Sequence, residues 1–189
     1  CLRRLAGVRA LLLAAAVTLT LAIAAGSPAR SARSTGAPDV YSGLGTWIDV
    51  YDPKAFANPE ETAGTIASHG VKTVYVETSN SKQAVDIVRP GALGQLVDAL
   101  HRNEVEVVAW YLPSFVKPVV DLRRSLAAMH FVTPAESGFD GFALDIESPD
   151  VKSPRVRTAR VLALSRQIRA AAGSDLGLGA IIPSPRGME

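Results

Sequence analysis

The 189-residue chain is 48% hydrophobic and 20% charged, the balance of a globular protein long enough to bury one core. Its 20 Lys and Arg against 18 Asp and Glu leave a formal charge of +2, and Arg3, Arg4, Arg9, Arg30 and Arg33 all fall near the start. The remainder is close to neutral and has no basic stripe interleaved with aromatics, which excludes an electrostatically driven nucleic-acid partner.

Residues 1–25 have the order of a secretory signal. Arg3, Arg4 and Arg9 precede an apolar run over residues 10–25, and Ala22-Ile23-Ala24 supplies a small-residue cleavage site. The run is short of the ~20 apolar residues of a spanning helix. An uncleaved signal anchor is the alternative, and it is the only membrane contact expected. Export places the protein outside the cell or at its surface. The single cysteine, Cys1, lies in this leader, so the rest of the chain forms no internal disulfide and relies on its packed core. Residues 26–42, rich in Ser, Ala, Pro, Gly and Arg, read as a disordered linker.

Strand and helix patterns then alternate over residues 43–189. The first strand is expected over residues 45–51. Asn58 is placed to cap a helix that starts at Pro59, carries Glu60 and Glu61 in its first turn and stops before Gly70. A second strand covers 72–78 and a loop of about ten residues leads to a helix over 90–103. The third strand covers 105–112 and a helix follows over 118–130. The fourth strand covers 141–147. A long helix over 154–172 ends at Gly173, and the fifth strand covers 176–182. Such alternation implies parallel βαβ units, in a doubly wound sheet or a (β/α)8 barrel. No Gly-rich phosphate turn follows the first strand, which argues against dinucleotide binding. Polar residues gather at strand C-terminal ends, where barrel enzymes place their sites. A full barrel takes ~250 residues. The expectation is therefore a TIM-type barrel truncated after about its fifth strand.

The segment Asp140-Gly-Phe-Ala-Leu-Asp-Ile-Glu147 carries the most chemistry. Side chains two apart on a strand share a face, so Asp145 and Glu147 point the same way. Two carboxylates on a buried strand are costly unless they face a polar cavity, and their proximity raises one pKa, which suits a general acid beside an ionised partner. A purely structural pair, capping a neighbouring helix or holding a loop arginine, is the alternative. Glu77, at the end of the second strand, is expected across the mouth as a base or nucleophile, with a barrel-layer ion pair as its alternative role. Asp49 is expected to hydrogen-bond substrate or serve the scaffold. Trp47, Tyr51, Trp110 and Tyr111 are candidates for stacking on sugar rings, with a place in the core as the alternative for half of them, and parity sends one of Trp110 and Tyr111 to the interior and the other to the helices.

The fourth-strand segment resembles the Asp-Gly-x-Asp-x-Asp-x-Glu signature of family 18 chitinases, with Asp140, Gly141, Asp145 and Glu147 matching and Ala143 standing where that family has an aspartate. The resemblance implies that Glu147 protonates the glycosidic oxygen and that Asp145 positions the substrate's acetamido group. Over most of residues 44–189 the chain is similar to secreted barrel proteins of actinobacterial type grouped with the glycoside hydrolases. That likeness rests on residues 74–79, 107–113, 142–147 and 179–185, and implies a sugar-related barrel without a settled substrate.

Other chemistries find less support. His69, His101 and His130 have no ligand spacing, so no metal is expected. Ser79, Ser114 and Ser184 lack a Gly-x-Ser-x-Gly elbow. No cofactor is expected. Arginines 155, 157, 160, 166 and 169 read as the solvated face of one helix. Two functions remain: an exported glycosidase acting by general acid/base catalysis on a polysaccharide or glycoconjugate, and a barrel that binds carbohydrate without cleaving it.

Overall fold

The computed structural model describes residues 39–182. Five strands, β1 (Gly45–Ile48), β2 (Thr73–Asn80), β3 (Glu106–Leu112), β4 (Gly141–Asp145) and β5 (Gly177–Ile181), alternate with helices. These helices are α1 (Pro53–Ala57), α2 (Pro59–Ser68), α3 (Pro90–Arg102), α4 (Pro118–Met129) and α5 (Pro154–Ala172). Each of the five opens on proline, whose fixed φ and missing N–H suit a helix's first position. The strands pair in parallel in chain order, β1-β2-β3-β4-β5, so β1 and β5 have one strand partner each among the described residues.

The helices pack on one face of the sheet. Val74 and Val76 of β2 meet Leu93, Leu96, Val97 and Leu100 of α3. Tyr111, Phe142 and Leu144 meet Leu164 and Ile168 of α5. The other face carries Tyr75, Val108, Trp110, Ala143 and Ile181, with Val40 packed against it. Sequential strand order with all helices on one side rules out the doubly wound alternative, which reverses order and covers both faces. It is compatible with the first five units of a barrel.

Several boundaries differ from expectation, each for a local reason. Residues 39–42 are not linker: Asp39–Tyr41 form a 3-10 turn, and Val40 is 2% exposed. The turn is tied to the sheet because Thr73 Oγ1 donates to Val40 O (2.7 Å) and Tyr41 donates to Phe142 O (3.2 Å). β1 stops at Ile48, not 51, because Asp49 turns the chain: its carbonyl accepts from Asp52 N–H and its carboxylate from Tyr51 N–H at 2.6 Å. Asp52 then caps the unexpected helix α1 through Lys54 and Ala55 N–H. Asn58, expected as the cap of α2, makes no side-chain cap bond. β4 ends at Asp145 rather than 147, although Ile146 N–H still donates to Ile181 O. The expected signal segment and the linker up to residue 38 lie outside the described residues. Among the described residues, no helix is long and apolar enough to cross a membrane.

Candidate functional site

The site is built on an irregularity in β2. Thr73 to Glu77 pair residue for residue with Glu106 to Trp110, but Ser79 then pairs with Tyr111 and Asn80 with Leu112, leaving Thr78 as an extra residue. This bulge resets the alternation of faces. Tyr75 and Glu77 share the helix-free face with Trp110. Without the bulge, Asn80 would point to the helices. With it, Asn80 returns to the face of Glu77, and its Nδ2 donates to Glu77 Oε1 at 3.0 Å.

Glu77 is 3% exposed and both of its oxygens are bonded, Oε1 as above and Oε2 by Val50 N–H at 3.0 Å. Burial pushes its pKa up. The Val50 and Asn80 donors oppose that shift, while the charges of Asp49 and Asp145 reinforce it. The ends of β1 and β4 therefore bring Asp49 and Asp145 within electrostatic reach of Glu77. Asp145 is 8% exposed, and burial raises its pKa; the Glu147 N–H bond opposes that shift and the Glu147 charge adds to it. Glu147 lies past the end of β4 and is exposed. Its N–H donates to Asp145 Oδ1 at 3.0 Å, so the two expected partners are joined through backbone and not by strand parity.

The aromatic candidates separate. Trp110 lies on the helix-free face, its Nε1 donating to Tyr75 O at 3.3 Å. Trp47, 52% exposed, stacks on Tyr75 with centroids 4.3 Å apart and meets Trp110 edge-on at 6.1 Å. Trp47 and Tyr75, with Tyr41, Ala143 and Ile181, also line a cavity of about 270 Å³. Tyr111 is a correction. It is fully buried on the helix side, where its hydroxyl donates to Asp121 Oδ1 at 2.8 Å, and it cannot meet a ligand. Tyr51 is exposed at the mouth, and its phenolic oxygen accepts from Asn80 Nδ2 (3.1 Å) and Gln83 Nε2 (3.4 Å).

The residues that sequence reasoning missed are those that hold these groups in place. Arg124 of α4, 5% exposed, donates to Asn80 O at 2.6 Å and to Gln83 O. Arg89 donates to Val50 O at 2.7 Å and lies over the Phe56 ring. A buried arginine on an otherwise amphipathic helix is the one signal that could have found Arg124. Asp140 is fixed at the opposite end of β4, where it accepts from His101 Nε2 and Val107 N–H, each at 2.8 Å, and is part of the scaffold. Among the described residues, no three His, Cys, Asp or Glu side chains are grouped to hold a metal ion. A separate cleft of about 500 Å³ lies along β1, α1 and α2, and its carboxylates are Asp52, which caps α1, and Glu61. No known protein family matches the chain, and no curated protein matches it.

Proposed function

We propose that the chain is the first part of an exported (β/α)8-barrel glycoside hydrolase that cleaves glycosidic bonds of a polysaccharide or glycoconjugate by general acid/base catalysis. One observation carries the reading: Glu77 from β2 and Asp145 from β4 are buried carboxyls at one end of the sheet. Both are pushed toward the protonated form by burial, and Glu77 also by the charge of Asp145. A buried carboxyl raised in this way keeps a proton that an exposed one would lose, which is what an acid catalyst requires. Glycosidases work with two such groups flanking the bond. Of the three carboxyls here, Glu77 is the buried, raised one able to hold a proton at the mouth and Asp145 is its partner from β4; Glu147, the acid by likeness to the chitinase signature, lies exposed beside them with its N–H bonded to Asp145. Trp110, with Trp47 beside it, offers a sugar ring an apolar face.

Turnover of a polysaccharide panel by wild type, Glu147→Gln and Glu77→Gln tests this reading. Each substitution should lower the rate by about 10²–10⁴-fold, the usual worth of a positioned acid or base, while ligand binding persists. Turnover by Glu147→Gln equal to wild type removes Glu147 from the mechanism. A second reading, a barrel that binds sugar without cleaving it, is favoured by Ala143. It is buried opposite Trp110 where the chitinase signature has an aspartate. Binding by wild type without turnover would select it.

A further inference from the structure

The hydrogen bonds around Asn80 leave one group at the mouth with a donor hydrogen to spare. Lys82 N–H donates to Asn80 Oδ1 at 2.9 Å, which fixes the amide's orientation. Its two Nδ2 hydrogens are then committed, one to Glu77 Oε1 and one to the Tyr51 hydroxyl oxygen. Gln83 Nε2 donates to the same oxygen. A phenol whose oxygen accepts from two amides has its own hydrogen left to give. Tyr51 is 61% exposed, and its backbone is pinned because its N–H donates to Asp49 Oδ1 at 2.6 Å. Asn80 and Gln83 are themselves clamped from below, since Arg124 donates to both of their carbonyls.

Charge narrows what that hydrogen meets. Asp49, Glu77 and Asp145 share this end of the sheet closely enough for Glu77 to sense the other two. The arginines bonded into the two loops, Arg89 and Arg124, are turned to the Val50, Asn80 and Gln83 carbonyls. The carbonyls are neutral and leave both guanidinium charges in place, but Arg124 is buried beneath the loop and the three carboxyls outnumber the two arginines, so a further negative charge on a ligand is disfavoured there.

We propose that Tyr51 is the ligand-facing hydrogen-bond donor of this site, aimed by Asn80 as a positioning residue, and that it takes an uncharged acceptor oxygen of a neutral saccharide. The inference rests on the carbohydrate reading above and adds to it a specific contact and a substrate class.

Calorimetric titration of the full chain with neutral gluco-, xylo-, manno- and chito-hexaoses, and with oligogalacturonate as the anionic arm, tests it. Wild type should bind at least one neutral hexaose more tightly than the uronate. Tyr51→Phe, which keeps the exposed ring and removes only the hydroxyl, should weaken that binding about tenfold, the worth of one hydrogen bond of about 1.4 kcal/mol. Asn80→Asp would place a carboxylate beside Glu77 and accept the Tyr51 hydrogen, so its binding should weaken as much and fall further as pH rises through the carboxyl range. Binding of a neutral hexaose by Tyr51→Phe equal to wild type overturns the Tyr51 contact and leaves the carbohydrate reading standing. Equal binding by Asn80→Asp at every pH removes Asn80 from the role. Tighter binding of the uronate overturns the substrate class. No saccharide binding by wild type overturns both the inference and the reading beneath it.

Discussion

Asp145 shows what a ligand site does to stability. Its folded-state pKa is raised by burial and by the Glu147 charge, so the folded protein favours the protonated form relative to the unfolded chain. A raised carboxyl is no burden below its unfolded pKa. Its cost appears as pH climbs through and above the carboxyl range, and it is fully present at neutral pH. Asp145→Asn keeps an oxygen for Glu147 N–H and removes the charge. It is expected to raise the melting temperature at pH 7 by roughly 2–4 °C, the effect of about 1 kcal/mol in a domain of this size. The gain should vanish as pH falls below about 4, where the wild-type carboxyl is protonated even when unfolded. Thermal melts of both proteins at pH 3 and pH 7 check it: an equal or lower melting temperature for the variant at pH 7 would mean that Asp145 ionises without penalty. The carboxyl residues were legible in the sequence because a charged side chain on an apolar strand is conspicuous. Asn80, Gln83, Arg89 and Arg124 were not, since the first two meet the Tyr51 hydroxyl and the two arginines meet backbone carbonyls, all far away in the chain.

Among the elements, strands and long helices were legible because their apolar spacing is set by which face is buried. Trp110 and Tyr111 divided between the faces as strict alternation demands. The bulge at Thr78 could not be read, because a bulge depends on the partner strand's register and β2's own residues alternate smoothly. Helix α1 was missed for a related reason: five residues are too few for a periodicity, and Asp52 acts as a cap only once Asp49 has turned the chain. Local propensity misleads again within α3. Gly94 occupies a helix interior, where alanine ordinarily gains about 1 kcal/mol. Here a Cβ would lie 2.8 Å from Pro134 Cδ, a rigid ring atom in the loop before β4. Gly94→Ala is therefore expected to destabilise the fold by about 1–3 kcal/mol, the range for overpacking. A chemical-denaturation midpoint at or above that of wild type would show that the loop moves aside freely.

For the whole molecule, the composition and the strand–helix rhythm sufficed for a parallel α/β sheet with its helices on one side. The face away from the helices proved the less predictable half. Its aromatic wall of Trp47, Tyr75 and Trp110 assembles from three strands, and no single strand announces it. The order β1-β2-β3-β4-β5 has a consequence for solution behaviour. Among the described residues each outer strand has a margin of backbone donors and acceptors with no strand alongside, and neither Gly45–Ile48 nor Gly177–Ile181 contains a charge or a proline to discourage company. Such a sheet is a template that can grow sideways. The 189-residue chain is expected to self-associate as its concentration rises through the micromolar range, and replacing Thr46 or the exposed Ala180 with lysine should suppress the association. Sedimentation velocity across a dilution series decides the matter: a single species at every concentration, unaffected by the lysines, would mean that other parts of the protein already shield both margins. Solubility would then report on closure of the sheet without any assay of activity.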